Sequence, residues 1–187
     1  MESAAQDIQA VRLAHAANMD QASGPADTVP ARLKLSRSFL PCPVETGDEM
    51  FRNGIFEFNI TRLMAFIETH VARFPIEDLA VASVPDYGSD ARLNQTTIAA
   101  ADLSRAVLLA EIAPGRFNLI DGNHRIARAR RDGVPSVPAY RIRCPDHVAF
   151  LTSTMAYQTY VEYWNGKIKE MQPKRRRSSV RIQAPGM

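Results

Sequence analysis

Apolar positions recur at helical spacing in one long stretch of the chain, at Ile60, Leu63, Met64, Phe66, Ile67 and Val71. This predicts an amphipathic helix capped by Asn59 or Thr61 and ended by Pro75, with His70 and Arg73 on its last turn. The inward stripe reads as core. Two apolar runs further on, residues 106–112 and 117–120, are joined by Ala113-Pro-Gly-Arg116 and predict a hairpin. Asp121-Gly122 then forms a sharp turn, and residues 123–131 predict a helix with Asn123 as its N-cap, burying Ile126, Ala127 and Ala129. A last helical region opens at Cys144-Pro145-Asp146. Phe150, Leu151, Met155, Tyr157, Tyr160, Val161 and Trp164 give it one aromatic face, and Asn165-Gly166 stops or breaks it. That face covers the sheet or meets a second copy of the chain, so a homodimer is one expectation.

Between these elements the pattern is weaker. Residues 33–44, interrupted by Pro41 and Pro43, suit an edge strand and a turn. Residues 45–54 read as a loop or a single helical turn, and residues 55–59 alternate as a strand that joins the sheet. Residues 76–84 form a strand or a short helix, residues 85–90 a turn, and residues 92–97 a polar loop over the site, where Thr96 and Thr97 offer hydroxyls. Residues 1–35 hold a loose helical pattern at Ile8, Val11, Leu13 and Ala14 followed by a linker-like stretch, and are expected to be a weakly ordered arm. The body then spans residues 36–166, and residues 167–187 form a basic tail.

Composition narrows the class. With 187 residues, 45% hydrophobic and 23% charged, the chain can bury one core of ordinary size. No apolar run approaches a membrane span and no signal-peptide pattern opens the chain, so no membrane partner and a cytoplasmic location are expected. Cys42 and Cys144 sit beside prolines without a Cys-x-x-Cys spacing, which reads as reduced thiols. The four histidines are scattered, so no metal site built by the protein alone is expected. Net charge is +3, but Lys174, Arg175, Arg176, Arg177 and Arg181 supply five cations, leaving residues 1–172 at −2. A mildly acidic body is unlike a dedicated duplex reader, whereas the tail can contact nucleic-acid phosphates without sequence preference.

The strand–turn–helix junction at residues 117–131 carries the sharpest chemistry. The first N–H groups of a helix lack intrahelical partners, the helix dipole adds positive charge, and a glycine admits a ligand to the backbone. His124 and Arg125 on the first turn can add charge-assisted hydrogen bonds to the same phosphate.

The run Ile120-Asp121-Gly122-Asn123-His124-Arg125, closed by Gly133, Val134-Pro135 and then Val137-Pro138 to Ile142, resembles the core motif of the ParB/sulfiredoxin superfamily. The Asp-Gly-x-His-Arg form is most similar to free-serine kinases and stand-alone ParB-like domains, and the resemblance covers residues 102–142. Asp102 and Arg105 resemble the family's lead-in, with Ala106 in place of its proline. The resemblance implies an α+β fold, a small mixed β-sheet with flanking helices, here followed by a C-terminal helix. It implies a nucleoside triphosphate, ATP or CTP, held by Gly122, Asn123, His124, Arg125 and Arg105, with Mg2+ bridging the phosphates. Asn123 stands where sulfiredoxins carry their nucleophilic cysteine, which argues against sulfinic-acid reduction.

Three function classes follow. The first is an NTP-dependent hydrolase or phosphotransferase in which Asp121 and His124 act at the phosphates and Glu57 is the candidate base, with Glu111 and Asp102 as alternatives. The second is a DNA-associated partition or nuclease-type module using the tail and the arginine-rich helix. The third is a non-catalytic interaction protein on the same fold.

Overall fold

The computed structural model describes residues 30–85 and 93–171. The helical pattern at 8–14, most of the turn expected at 85–90, Arg92 and the cations at 174–181 lie outside the described residues. The fold is α+β. A two-stranded hairpin, β1 (Met50–Asn53) and β2 (Phe56–Asn59), leads directly into helix α1 (Ile60–Glu68). Strand β3 (Glu77–Ala80) continues into a 3-10 turn, Val81–Ser83, and the short helix α2 (Gln95–Ala100) precedes the second hairpin. That hairpin is β4 (Val107–Ala113) and β5 (Arg116–Asp121), followed by α3 (Asn123–Arg131) and β6 (Ser136–Ile142). A 3-10 turn, Asp146–Phe150, and the long helix α4 (Thr154–Met171) complete the described chain.

Strands β3, β6, β4 and β5 form one mixed sheet in that order, β6 running parallel to β4 and antiparallel to β3. Alternation along β4 separates two cores. Leu108, Ala110 and Ile112 face α1, α4 and the β1–β2 hairpin in a large core containing Phe58, Leu63, Ile67, Tyr160 and Trp164. Val107 and Leu109 face the other way, against Ile126 and Ala129 of α3 and Leu79, Val137 and Ala139. The alanines on the buried side of α3 bring its axis close to the sheet, so its first turn is fixed by packing.

Several expectations are corrected. Residues 33–44 are not a strand, because distant side chains satisfy their backbone: Asn165 bonds both N and O of Leu33, and the Tyr157 hydroxyl accepts from Ser36 N. Strand β1 lies inside the segment read as loop or helical turn, and residues 56–59 pair with it rather than with the main sheet. Helix α1 ends at Glu68, well before Pro75, leaving Val71 exposed and Arg73 free to pair with Asp146 at 2.5 Å. The polar segment near the site contains helix α2, capped by Asn94. Asn165-Gly166 does not stop α4, which continues through residues 167–171. The Asn165 amide is engaged with Leu33, and burial of Trp164 and Ile168 on either side offsets a cost of about 1 kcal/mol for the mid-helix glycine. Met155 points outward rather than into the aromatic face. Among the described residues no helix is long and apolar enough to cross a membrane.

Candidate functional site

Strand β5 delivers Asp121, and the chain turns at Gly122 with φ 100°. A side chain is excluded there twice over, by the left-handed backbone and by space. An added Cβ would lie 2.5 Å from Val107 Cγ1 and 3.1 Å from Arg125 Nε. Glycine thus lets the first turn of α3 press directly on β4.

Gly122, not Asn123, is the N-cap of α3. The first intrahelical bond runs from Ile126 N to Gly122 O at 3.0 Å, and no side chain caps the helix. Asn123 is already helical, which removes the capping role the sequence gave it. Among the described residues, no acceptor meets the N–H groups of Asn123, His124 and Arg125. The start of α3 is therefore an unfilled donor cluster at the positive end of the helix dipole.

Two side chains border it. Arg125 donates through Nη2 to Asp121 Oδ2 at 2.7 Å, while its Nε is buried against Gly122 with no hydrogen-bond partner. The carboxylate fixes the arginine's fork beside the turn and offsets part of its charge. His124 is half-buried and makes no hydrogen bond to the described residues. His147, by contrast, is a core residue: its Nε2 meets the Tyr160 hydroxyl at 2.9 Å, and burial lowers its pKa to about 4.

The lead-in loop comes to the same place. Asp102 accepts from the hydroxyl and N–H of Ser104, and these bonds, followed by the nearby guanidiniums of Arg105 and Arg125, hold its carboxyl below the usual range. Asp102, Arg105, Asp121 and Arg125 are thus brought together at one end of the sheet. The connector ahead of them is tied along α3: Arg130 donates to Val84 O and Arg128 to Ala101 O, both at 2.6 Å. These two arginines, which the sequence offered to nucleic acid, serve as tethers inside the fold. Their role depends on which distant carbonyls pack beside α3, and no local pattern encodes that.

The remaining candidate carboxylates stand elsewhere. Glu57 lies on β2, in the layer on the opposite face of the sheet from α3. It is engaged by Arg52 and by the Thr152 hydroxyl, which together hold its pKa down, Arg52 first. Glu111 is buried, accepting from Gly115 N at 2.8 Å and Cys144 N at 3.2 Å. Both carboxylates brace local structure. Thr96 and Thr97 have their backbone N–H groups capped by Asn94, on the exposed first turn of α2. Among the described residues no group of three or more His, Cys, Asp and Glu side chains is placed to hold a metal ion.

Compared with known proteins, the chain matches no family model, no curated protein and no solved structure.

Proposed function

We propose that the protein binds a nucleoside triphosphate, ATP or CTP, with its phosphates on the first turn of α3, and that it hydrolyses the nucleotide or transfers its terminal phosphoryl group. The observation that carries this reading is the start of α3, which has no side-chain cap and where the N–H groups of Asn123, His124 and Arg125 meet no acceptor among the described residues, with Arg125 on the same turn and Arg105 brought by the lead-in loop to the same end of the sheet. Such an arrangement suits a multiply charged oxyanion, because backbone donors, helix dipole and guanidinium act together there, with Asp121 engaging Arg125 through Nη2. The resemblance of residues 120–142 to the ParB/sulfiredoxin motif supports the same ligand. Gly122 lets α3 start directly against β4 and so fixes where its first N–H groups stand, His124 and Arg125 bond the phosphate oxygens, and Asp121 orients Arg125.

A Mg2+ ion arriving with the triphosphate would take most of its ligands from phosphate and water, with Asp102 as the exposed protein carboxylate at the turn. Such an ion would supply charge neutralisation at the phosphates. Of the three candidate bases, Asp102 is the one brought beside Arg105 and Arg125, and it takes the place of Glu57, which belongs to the other layer.

The test is a thermal-shift screen of ATP, CTP, GTP and ADP with and without Mg2+, since a ligand that binds only the native state must raise the melting temperature. A shift with a triphosphate, reduced about tenfold in affinity by His124→Ala, is the expected result. No shift with any nucleotide overturns the reading.

A further inference from the structure

The lead-in loop carries a hydroxyl that the phosphate-binding reading leaves unused. Among the described residues two side-chain hydroxyls donate to a carboxylate, Thr152 to Glu57 Oε1 at 3.0 Å and Ser104 to Asp102 Oδ1 at 2.6 Å. The first pair lies in the layer across the sheet, partly buried, with its carboxylate shared by Arg52. The second is exposed, at the end of the sheet where the charges of Arg105 and Arg125 act on Asp102.

Local structure holds the second pair in place. Burial varies along the loop: Ala101, Leu103 and Ala106 are partly covered, while Asp102, Ser104 and Arg105 are exposed. Leu103 packs against the smaller core, and Arg128 donates to Ala101 O at 2.6 Å. Around these anchors Asp102 Oδ1 also accepts from Ser104 N at 2.9 Å, closing a turn that sets the serine against the carboxylate. The hydroxyl proton is thus directed at a carboxylate oxygen, which leaves the Oγ lone pairs for an electrophile.

A serine hydroxyl is a weak nucleophile until a base takes its proton, and activation needs the two within hydrogen-bond reach. The two bonds from Ser104, followed by the nearby arginines, hold the Asp102 carboxyl below its ordinary value, so it is ionised near neutral pH. An ionised aspartate suffices as base in phosphoryl transfer, where the transition state is loose and catalysis is mostly positioning and charge stabilisation.

We propose that Ser104 is a phosphoacceptor and Asp102 its general base, so that the protein phosphorylates itself from a nucleoside triphosphate. This rests on the nucleotide-binding reading above. Ser104 Oγ attacks the γ-phosphorus, and the Oγ–P bond forms as the bond from that phosphorus to the oxygen bridging to the β-phosphate breaks. The hydroxyl proton passes to Asp102 and then to water, and the nucleoside diphosphate leaves. The phosphoserine loses its hydrogen bond to Asp102 and is repelled by that carboxylate, while Arg105, the next residue, is the cation available to pair with it.

The full chain is incubated with Mg2+ and ATP or CTP labelled at the γ-phosphate, and modified residues are mapped by fragmentation mass spectrometry. Label on Ser104 of the parent chain is expected, with the melting shift caused by the same nucleotide as the control for binding. Asp102→Asn keeps an acceptor for Ser104 and removes the base. At nucleotide concentrations that saturate its own melting shift, it should be labelled about a hundredfold more slowly, or less. Ser104→Thr keeps a hydroxyl on the turn and should carry the label as phosphothreonine, whereas Ser104→Ala should carry none at this position. Nucleotide binding without label on Ser104 overturns the proposal and leaves the binding reading standing. Absence of any nucleotide-induced shift removes both. Labelling of Asp102→Asn at the parent rate also overturns it, because a contaminating kinase would not need this carboxylate.

Discussion

Helices α1 and α3 each follow a strand with no intervening loop of any length, yet their first turns are finished in opposite ways. At α1, Asn59 accepts from Arg62 N at 3.0 Å and donates to Asp48 at 2.6 Å and to Pro43 O at 3.0 Å, while Ile60 N bonds Glu49 O. Asn59 is fully buried, and Arg62 is closed over by Glu45 at 2.6 Å. At α3 a left-handed glycine opens the helix, the following asparagine does not cap it, and three N–H groups meet no acceptor among the described residues. A side-chain cap contributes about 1 kcal/mol to a helix. Where a chain forgoes that contribution beside a histidine and an arginine, the unspent donors are available to a ligand. The first start is a joint within the core, and the second is an opening to solvent.

The largest expected effect falls on the glycine that makes the opening. Gly122→Ala should cost about 3 kcal/mol or more in chemical denaturation, from the left-handed backbone and the overlap with Val107 together. A loss below about 1 kcal/mol would show that the turn can relax and that its geometry is not enforced. Asn59→Ala comes next, at about 2 kcal/mol, because it removes the cap and leaves Asp48 and Pro43 O short of a donor.

Acid should act on the closed start in the same direction and more weakly. The N–H of Glu45, with the Asn59 amide and Arg62, holds the Asp48 carboxyl below its ordinary value. A carboxyl depressed in the folded state contributes its stability above its unfolded pKa of about 4 and loses it as pH falls through the folded value. Denaturation at pH 5 and again well below pH 4 should therefore show an acid loss that Asp48→Asn reduces. Equal acid losses in the two proteins would remove Asp48 from the account. The smallest effect belongs to Asn123. Asn123→Ala should change stability by less than about 0.5 kcal/mol, unlike the loss expected of a true cap. Asn123→Asp should raise the melting temperature by favouring the dipole while weakening any bound phosphate.

The site was legible in the sequence wherever it rests on contiguous residues. Hairpin, turn and helix from 107 to 131 follow from alternation, Gly122 and the alanine-spaced face, because each next element packs on the one just made. Asn123 was misread as a cap because Asn is a strong capping residue. What decides the cap is the backbone of Gly122, and the contact with Val107 that requires glycine there is a tertiary one. The failures elsewhere share that origin. Residues 33–44 look like a strand until Asn165 and Tyr157 arrive from more than a hundred residues away, and the same amide of Asn165 keeps α4 intact. The partners of Glu57 come from the fold in the same way, Arg52 across the β1–β2 hairpin and Thr152 from far along the chain.

The sheet order has a consequence for how the protein is made. Strand β6 lies between β3 and β4, so β3 has no strand to bond until residue 136 and beyond have been synthesised. The β4–β5 hairpin and α3 need only their neighbours in sequence, and local contacts of this kind form far sooner than pairings separated by some sixty residues. During translation the turn at Gly122 would therefore take shape before the sheet around it closes. In refolding followed by pulsed hydrogen exchange, β5 amides bonded to β4 should gain protection before those of β3. A nascent chain stopped just short of β6 would present an open edge of β4, the state in which this protein is most exposed to chaperones and to aggregation.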